Sequence, residues 1–336
     1  MNRPIGLWLL ACCALVFVVL VQGGATRLTH SGLSIVEWKP VTGVLPPLDD
    51  AQWERAFQDY QRTPEYQQVN DGMGLADFKE IYWMEYLHRL LARLAGLVFA
   101  LPFFYFLLSR KLDRRLLSKL AVVAALWALQ GGLGWFMVKS GLVNEPRVSH
   151  YRLTAHLLTA CVLYGAMLWT ALELLIPRSE QDTIEHSRLR RVGAAILALV
   201  LITIGSGGLV AGLRAGFIYN TFPKMLDYWI PPFLFKIQPP LRNLFDNNTT
   251  VQFDHRLLAL VLTLGTLGLW LVGIFSDLPR RTKLAFHVLM GAVLLQAALG
   301  VATLLRNVPL SLGVAHQGGA LILLGAAIFF LHQLTP

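Results

Sequence analysis

His88, His156, His255 and His316 each lie close to one end of a long apolar stretch. An ionisable side chain in such a place is costly unless it faces a bundle interior or a cavity, so each is a candidate for chemistry. Their surroundings recur. Tyr86-Leu87-His88-Arg89-Leu90-Leu91-Ala92 returns as Phe253-Asp254-His255-Arg256-Leu257-Leu258-Ala259, at an offset of 255 − 88 = 167. Leu129-Gln130-Gly131-Gly132-Leu133-Gly134 returns as Leu295-Gln296-Ala297-Ala298-Leu299-Gly300, at 296 − 130 = 166. His156 then pairs with His316 at 316 − 156 = 160, which requires a modest indel between the matched segments.

Two imidazoles on neighbouring helices of one four-helix unit can approach opposite faces of one flat macrocycle, which is bis-histidine haem ligation. Zinc is the competing metal, but it wants three or four converging ligands, and each half offers one histidine pair with no cysteine nearby. A porphyrin supplies its own four nitrogens. Any one of these histidines alone could equally be a hydrogen-bonded interfacial residue; recurrence in both halves favours ligation of a haem iron. His150 lies six residues before His156, about 240° around a helix, so the two cannot share a ligand position. His30, His186, His287 and His332 fall in loops or at the opposite ends of the segments and are expected to be structural or solvated.

The halves differ beside the histidines. Glu85 is one helical turn before His88, while the matching residue before His255 is Gln252. A carboxylate can take a proton and a carboxamide cannot. The expectation is a catalytic first half and a second half holding a resident electron-transfer haem; the plainer reading of Glu85 is an exposed charge suited to a helix start. Arg27, Arg89, Arg152, Arg214 and Arg256 lie towards the same end and could bind haem propionates, or simply anchor an interface. Arg89 and Arg256 follow a histidine directly, about 100° around the helix, and need not face the same ring. Gly131, Gly132, Gly134, Gly205, Gly207, Gly208, Gly212, Gly318 and Gly319 leave little bulk near a flat guest, although small residues also serve ordinary helix packing.

Of the 336 residues, 55% are hydrophobic and 15% charged, so lipid is the expected solvent. The net charge of +9 does not point to nucleic acid, because the basic residues fall in short clusters between apolar runs. Runs of about 20 residues, the length that crosses the hydrocarbon core, predict eight helices near 5–24, 87–108, 117–138, 152–175, 192–213, 255–275, 284–305 and 310–332. The first resembles a signal peptide but lacks a convincing cleavage site and is expected to be a retained helix. Basic clusters at Arg110–Lys119, Arg178–Arg191 and Arg280–Lys283 predict cytoplasmic loops, while the acidic first loop, about 25–86, faces the periplasm with both termini inside. Cys12, Cys13 and Cys161 lie within apolar runs, so no structural disulfide is expected.

The predicted fold is therefore an all-α integral membrane protein with eight transmembrane helices as two pseudo-symmetric four-helix bundles. The units are 1–178, with the expected catalytic haem site and the outer loop, and 179–336, with the expected resident electron-transfer haem site. An even number of helices per unit makes the repeats parallel and places all four histidines on one side of the membrane.

At these residues the chain resembles the haem A synthase (CtaA) family, in its proteobacterial and mitochondrial type rather than its Bacillus type. The matching stretches are Gly24–Thr29 with Ser31–Ser34, Trp38–Gly43 with Pro46-Pro47, Glu85–Arg89, Tyr151–His156, Tyr219–Met225 and Val251–Arg256. Together they span nearly the whole chain. The loop cysteine pair of some members is absent, which removes a disulfide-exchange role. The resemblance implies oxidation of the C8 methyl of haem O to the formyl of haem A by successive hydroxylations, with oxygen from water, for cytochrome oxidase assembly. His88, His156 and Glu85 are then the catalytic set around the substrate haem, and His255 and His316, with Arg256 and Arg89 as further cofactor contacts, belong to haem binding. It implies a bacterial inner-membrane protein with haem sites near the periplasmic face. The electron acceptor stays open; haem O synthase, cytochrome oxidase assembly factors and a second copy of the chain are compatible partners.

Two other classes remain. A di-haem cytochrome b serving quinol oxidation would stack its haems across the bilayer, whereas these four histidines gather near one face. A transporter would suit the repeat but has no need of matched histidines at helix ends.

Overall fold

The computed structural model describes residues 3–39, 42–141, 148–176 and 184–335. Arg178, Pro40, Val41 and the side chain of His186 lie outside the described residues. The described chain is helical, with α1 (Arg3–Leu28), α2 (Asp50–Gln61), α3 (Pro64–Val69), α4 (Leu75–Leu108), α5 (Arg114–Gly141), α6 (His150–Leu175), α7 (Ile184–Gly212), α8 (Asn243–Asp246), α9 (Asn248–Phe275), α10 (Arg280–Leu305) and α11 (Leu310–Gln333). Eight of these are long and apolar enough to cross a membrane, namely α1, α4, α5, α6, α7, α9, α10 and α11. Contacts divide the chain into two compact units, Ala14–Ala160 and Met1–Cys13 with Cys161–Pro336.

In the first unit the expected helix at 87–108 begins at Leu75 instead. Hydropathy misses its first turns because they are amphipathic: Asp77, Lys79 and Glu80 alternate with Phe78, Tyr82 and Tyr86. Those aromatics form a core with Trp53, Phe57 and Tyr60 of α2. Tyr60 stacks on Phe78 with ring centres 5.2 Å apart. Local chemistry sets the short helices: the Asp49 carboxylate accepts from the Gln52 amide at 2.8 Å, and Thr63 caps α3 ahead of Pro64. Asn70 donates to the Tyr60 hydroxyl at 2.7 Å, and burial together with the Glu65 carboxylate pushes the Tyr60 pKa above its ordinary value.

In the second unit α7, α9, α10 and α11 close a ring, each packed on two others in that order and back again. The first half of α1, up to Cys13, and the part of α6 from Cys161 on belong here. The Cys13 thiol meets the Tyr164 carbonyl at 3.8 Å, and Trp169 packs edge-on against His332 with ring centres 5.7 Å apart. Cys12, Cys13 and Cys161 are buried free thiols. His332 is fully buried and has a structural place, whereas His287 accepts from the Trp270 indole at 3.0 Å among exposed groups. α9 starts at Asn248, seven residues before His255, because Asn247 caps it by accepting from the Thr249 and Thr250 amides.

Candidate haem sites

His255 sits two turns into α9 and His316 two turns into α11, both in the second unit. Their ring centres are 6.4 Å apart and their planes nearly perpendicular, at 88°. An iron bound by one nitrogen of each ring, at metal–nitrogen bonds of about 2 Å, would bring the centres about 6 Å apart. The observed pair therefore fits one iron between them. The Ser206 hydroxyl donates to the Thr203 carbonyl at 2.8 Å and lies 2.8 Å from His255 Nδ1. With that hydroxyl proton spent on the carbonyl, Nδ1–H is the donor to Ser206, which leaves Nε2 unprotonated for a metal.

In the first unit His88 lies on α4 and His156 on α6, within electrostatic reach of one another. The Gln130 amide nitrogen lies 3.3 Å from His156 Nε2. Nδ1 of His88, His156 and His316 is shielded from solvent without a well-aligned hydrogen-bond partner. A buried imidazole with one unpaired nitrogen thus recurs in both units. Among the described residues no three of His, Cys, Asp and Glu converge on one point, so the donor set offered is the histidine pair.

Glu85 is buried rather than exposed at a helix start, eleven residues into α4 as counted from Leu75. Its Oε2 accepts from the Ser34 hydroxyl at 2.8 Å and the Ile35 amide at 2.9 Å. Its Oε1 accepts from Arg89 Nε at 3.0 Å and Nη2 at 2.6 Å. Arg89 also donates to the Ile35 and Glu37 carbonyls at 2.8 and 3.2 Å. Carboxylate and guanidinium together thus tie the loop that follows α1 to the turn that carries His88.

The second unit solves the same problem without a carboxylate. Arg256 donates to the Tyr219 carbonyl at 2.7 Å and the Thr221 carbonyl at 2.9 Å, and Gln252 Nε2 donates to the Tyr219 carbonyl at 3.1 Å. Arg89 thus divides its donors between the Glu85 carboxylate and two loop carbonyls, whereas Arg256 gives its bonds to loop carbonyls alone and keeps Nε buried and unpartnered. Arg152 lies over the Phe136 ring, with its guanidinium carbon 4.5 Å from the centre. Ser34 and Ser206 were not singled out as site residues by sequence reasoning; each is an ordinary small polar residue whose partner lies far along the chain.

Eight apolar spans with a pair of facing histidines in the second unit, and a related pair in the first, give the kind of donor set that bis-histidine haem proteins of membranes use. The chain belongs to the COX15-CtaA family of cytochrome oxidase assembly proteins, whose model matches residues 6–328. It is 51% identical over 334 residues to a heme A synthase of Nitrosospira multiformis, covering 99% of this chain and 94% of that protein. It is 45% identical over 340 residues to heme A synthase COX15 of Bos taurus, covering 99% of this chain and 82% of that protein, and 44% identical over 340 residues to heme A synthase COX15 of Homo sapiens, at 99% and 83%.

Proposed function

We propose that this chain is a haem A synthase, an oxidoreductase that converts the C8 methyl of haem O to the formyl of haem A by successive hydroxylations. The observation that carries the reading is the histidine pair in each unit, with a carboxylate one turn from the histidine in only one of them. His88 and His156 hold the substrate haem in the N-terminal unit, 1–178. His255 and His316 hold a haem b in the C-terminal unit, 179–336, and that group supplies reversible one-electron transfer when bound.

With water as the oxygen source, taking the methyl to a formyl releases electrons and protons in equal number, so the site needs a proton acceptor and an electron exit. Glu85 is the acceptor beside His88. Its oxygens already receive four donors, about the full capacity of a carboxylate, so a proton arrives only as one of these lets go. Ser34, whose hydroxyl both donates and accepts, is the partner able to pass one. Arg89 holds the carboxylate in place and ties the outer loop over the same turn. The protein sits in a bacterial inner membrane with both termini cytoplasmic and the sites towards the periplasmic face. Its partners are haem O, an electron acceptor, and assembly factors that hand on the product.

The packing of the units supports substrate exchange in the first and retention in the second. α7, α9, α10 and α11 close a ring, whereas α4 and α5 are only 11% and 6% buried across their apolar windows. Expression with haem O followed by pigment extraction tests the reading: haem A or hydroxylated haem O is expected, and an extract holding haem b alone would overturn it.

A further inference from the structure

We infer that Gly23, Gly134, Gly207 and Gly300 are positioning residues, each setting the rotation of the one histidine that lies against it; this rests on the haem-ligand reading above. A β-carbon at Gly23 would stand 2.8 Å from His88 Cε1, one at Gly134 3.2 Å from His156 Cε1, one at Gly207 3.1 Å from His255 Cε1, and one at Gly300 2.9 Å from His316 Cε1. In each case the glycine lies on the membrane helix immediately before the one bearing the histidine: α1 before α4, α5 before α6, α7 before α9, and α10 before α11.

The contact is the same edge of the ring four times. Cε1 is nearest, and the two nitrogens are equidistant to within 0.1 Å: 3.4 and 3.4 Å at Gly23, 3.9 and 3.8 Å at Gly134, 3.7 and 3.8 Å at Gly207, 3.5 and 3.6 Å at Gly300. A ring that presents Cε1 to a helix surface in this way has one nitrogen on each side of the contact. In three of the four pairs the backbone one turn before the glycine also lies near the ring: Val19 at His88, Thr203 at His255 and Gln296 at His316. A ring held in this orientation can turn one nitrogen to the metal and keep the other beside the helix, as His255 does with Nδ1 on Ser206. Turning about the Cβ–Cγ bond is blocked by the helix backbone, which a glycine allows to approach.

The repeat within this one chain separates these glycines from ordinary small-residue packing. Gly131 and Gly132 become Ala297 and Ala298 in the second half, while Gly134 remains glycine as Gly300. A β-carbon at Gly131 or Gly132 meets nothing within 4 Å, so the position where alanine is accepted touches no ring.

Purified, haem-loaded full-length protein tests this in the second unit. Near-perpendicular axial imidazoles give a strongly axial low-spin ferric signal in electron paramagnetic resonance, and the signal becomes more rhombic as the planes turn towards parallel. Gly300→Ala is expected to retain haem stoichiometrically while its signal moves towards rhombic and its midpoint potential shifts. Gly268→Ala and Gly291→Ala, where a β-carbon also meets nothing within 4 Å, should superimpose on the parent. If Gly300→Ala fails to fold or to hold haem, Gly207→Ala, with its longer contact, carries the same expectation at smaller amplitude. A Gly300→Ala signal and potential identical to the parent's, with haem lost in His316→Ala, overturns the positioning role alone. A haem content and a low-spin signal intensity both undiminished in His316→Ala overturn the ligand reading for the second unit, and this inference with it.

Discussion

Glu85 shows what a residue's neighbours add to its type. The sequence places it one turn from His88 and contrasts it with Gln252, and that asymmetry is legible because both lie on helices at matching repeat positions. Its bonds to Ser34 and Ile35 are not legible, because those partners lie about fifty residues away in a loop with no periodicity. The two consequences separate by substitution. Glu85→Gln keeps the shape and is expected to retain both haems while conversion falls about 10²-fold, the scale of a lost proton acceptor. Glu85→Ala also strands Arg89, which is only 11% exposed, and should cost about 3–5 kcal/mol of stability, read as a lowered thermal midpoint. Turnover unchanged in both would remove Glu85 from the chemistry.

At the scale of elements, the eight spans follow from apolar length, so that α5, α6, α10 and α11 begin within four residues of the expected positions. α4 departs from this by twelve residues because its start leaves the apolar regime and packs as a soluble helix would, on Trp53, Phe57 and Tyr60. The lobe formed by α2, α3 and the start of α4 thus has its own aromatic core. Phe78→Ala removes a fully buried ring at its centre and should destabilise the lobe by about 3–5 kcal/mol, seen as faster proteolysis within residues 29–74. Tyr60 adds a pH dependence. Its pKa is raised on folding, so the unfolded phenol ionises first; the lobe keeps this contribution below about pH 10 and loses it as pH rises further. Hydrogen exchange in the lobe, followed from neutral to alkaline pH, checks the sign.

Across the whole molecule, two histidine pairs related by an internal repeat were visible in sequence because repetition at offsets of 167, 166 and 160 is hard to produce by chance. The different packing of the two units was not, since it depends on which apolar faces meet. That difference predicts distinct haem retention: the haem held by His255 and His316 should persist through purification, and the haem held by His88 and His156 should exchange with added haem. Spectra of His88→Ala and His255→Ala, taken before and after a desalting step, check this.

The most direct test of the account is the haem extracted from the purified protein after expression with haem O, compared with that from His88→Ala and His255→Ala. The parent should yield haem A or hydroxylated haem O, and neither variant should. Haem A formed at undiminished yield by His88→Ala, or a parent that carries haem O unaltered, would contradict the assignment of the first unit as the place of methyl oxidation.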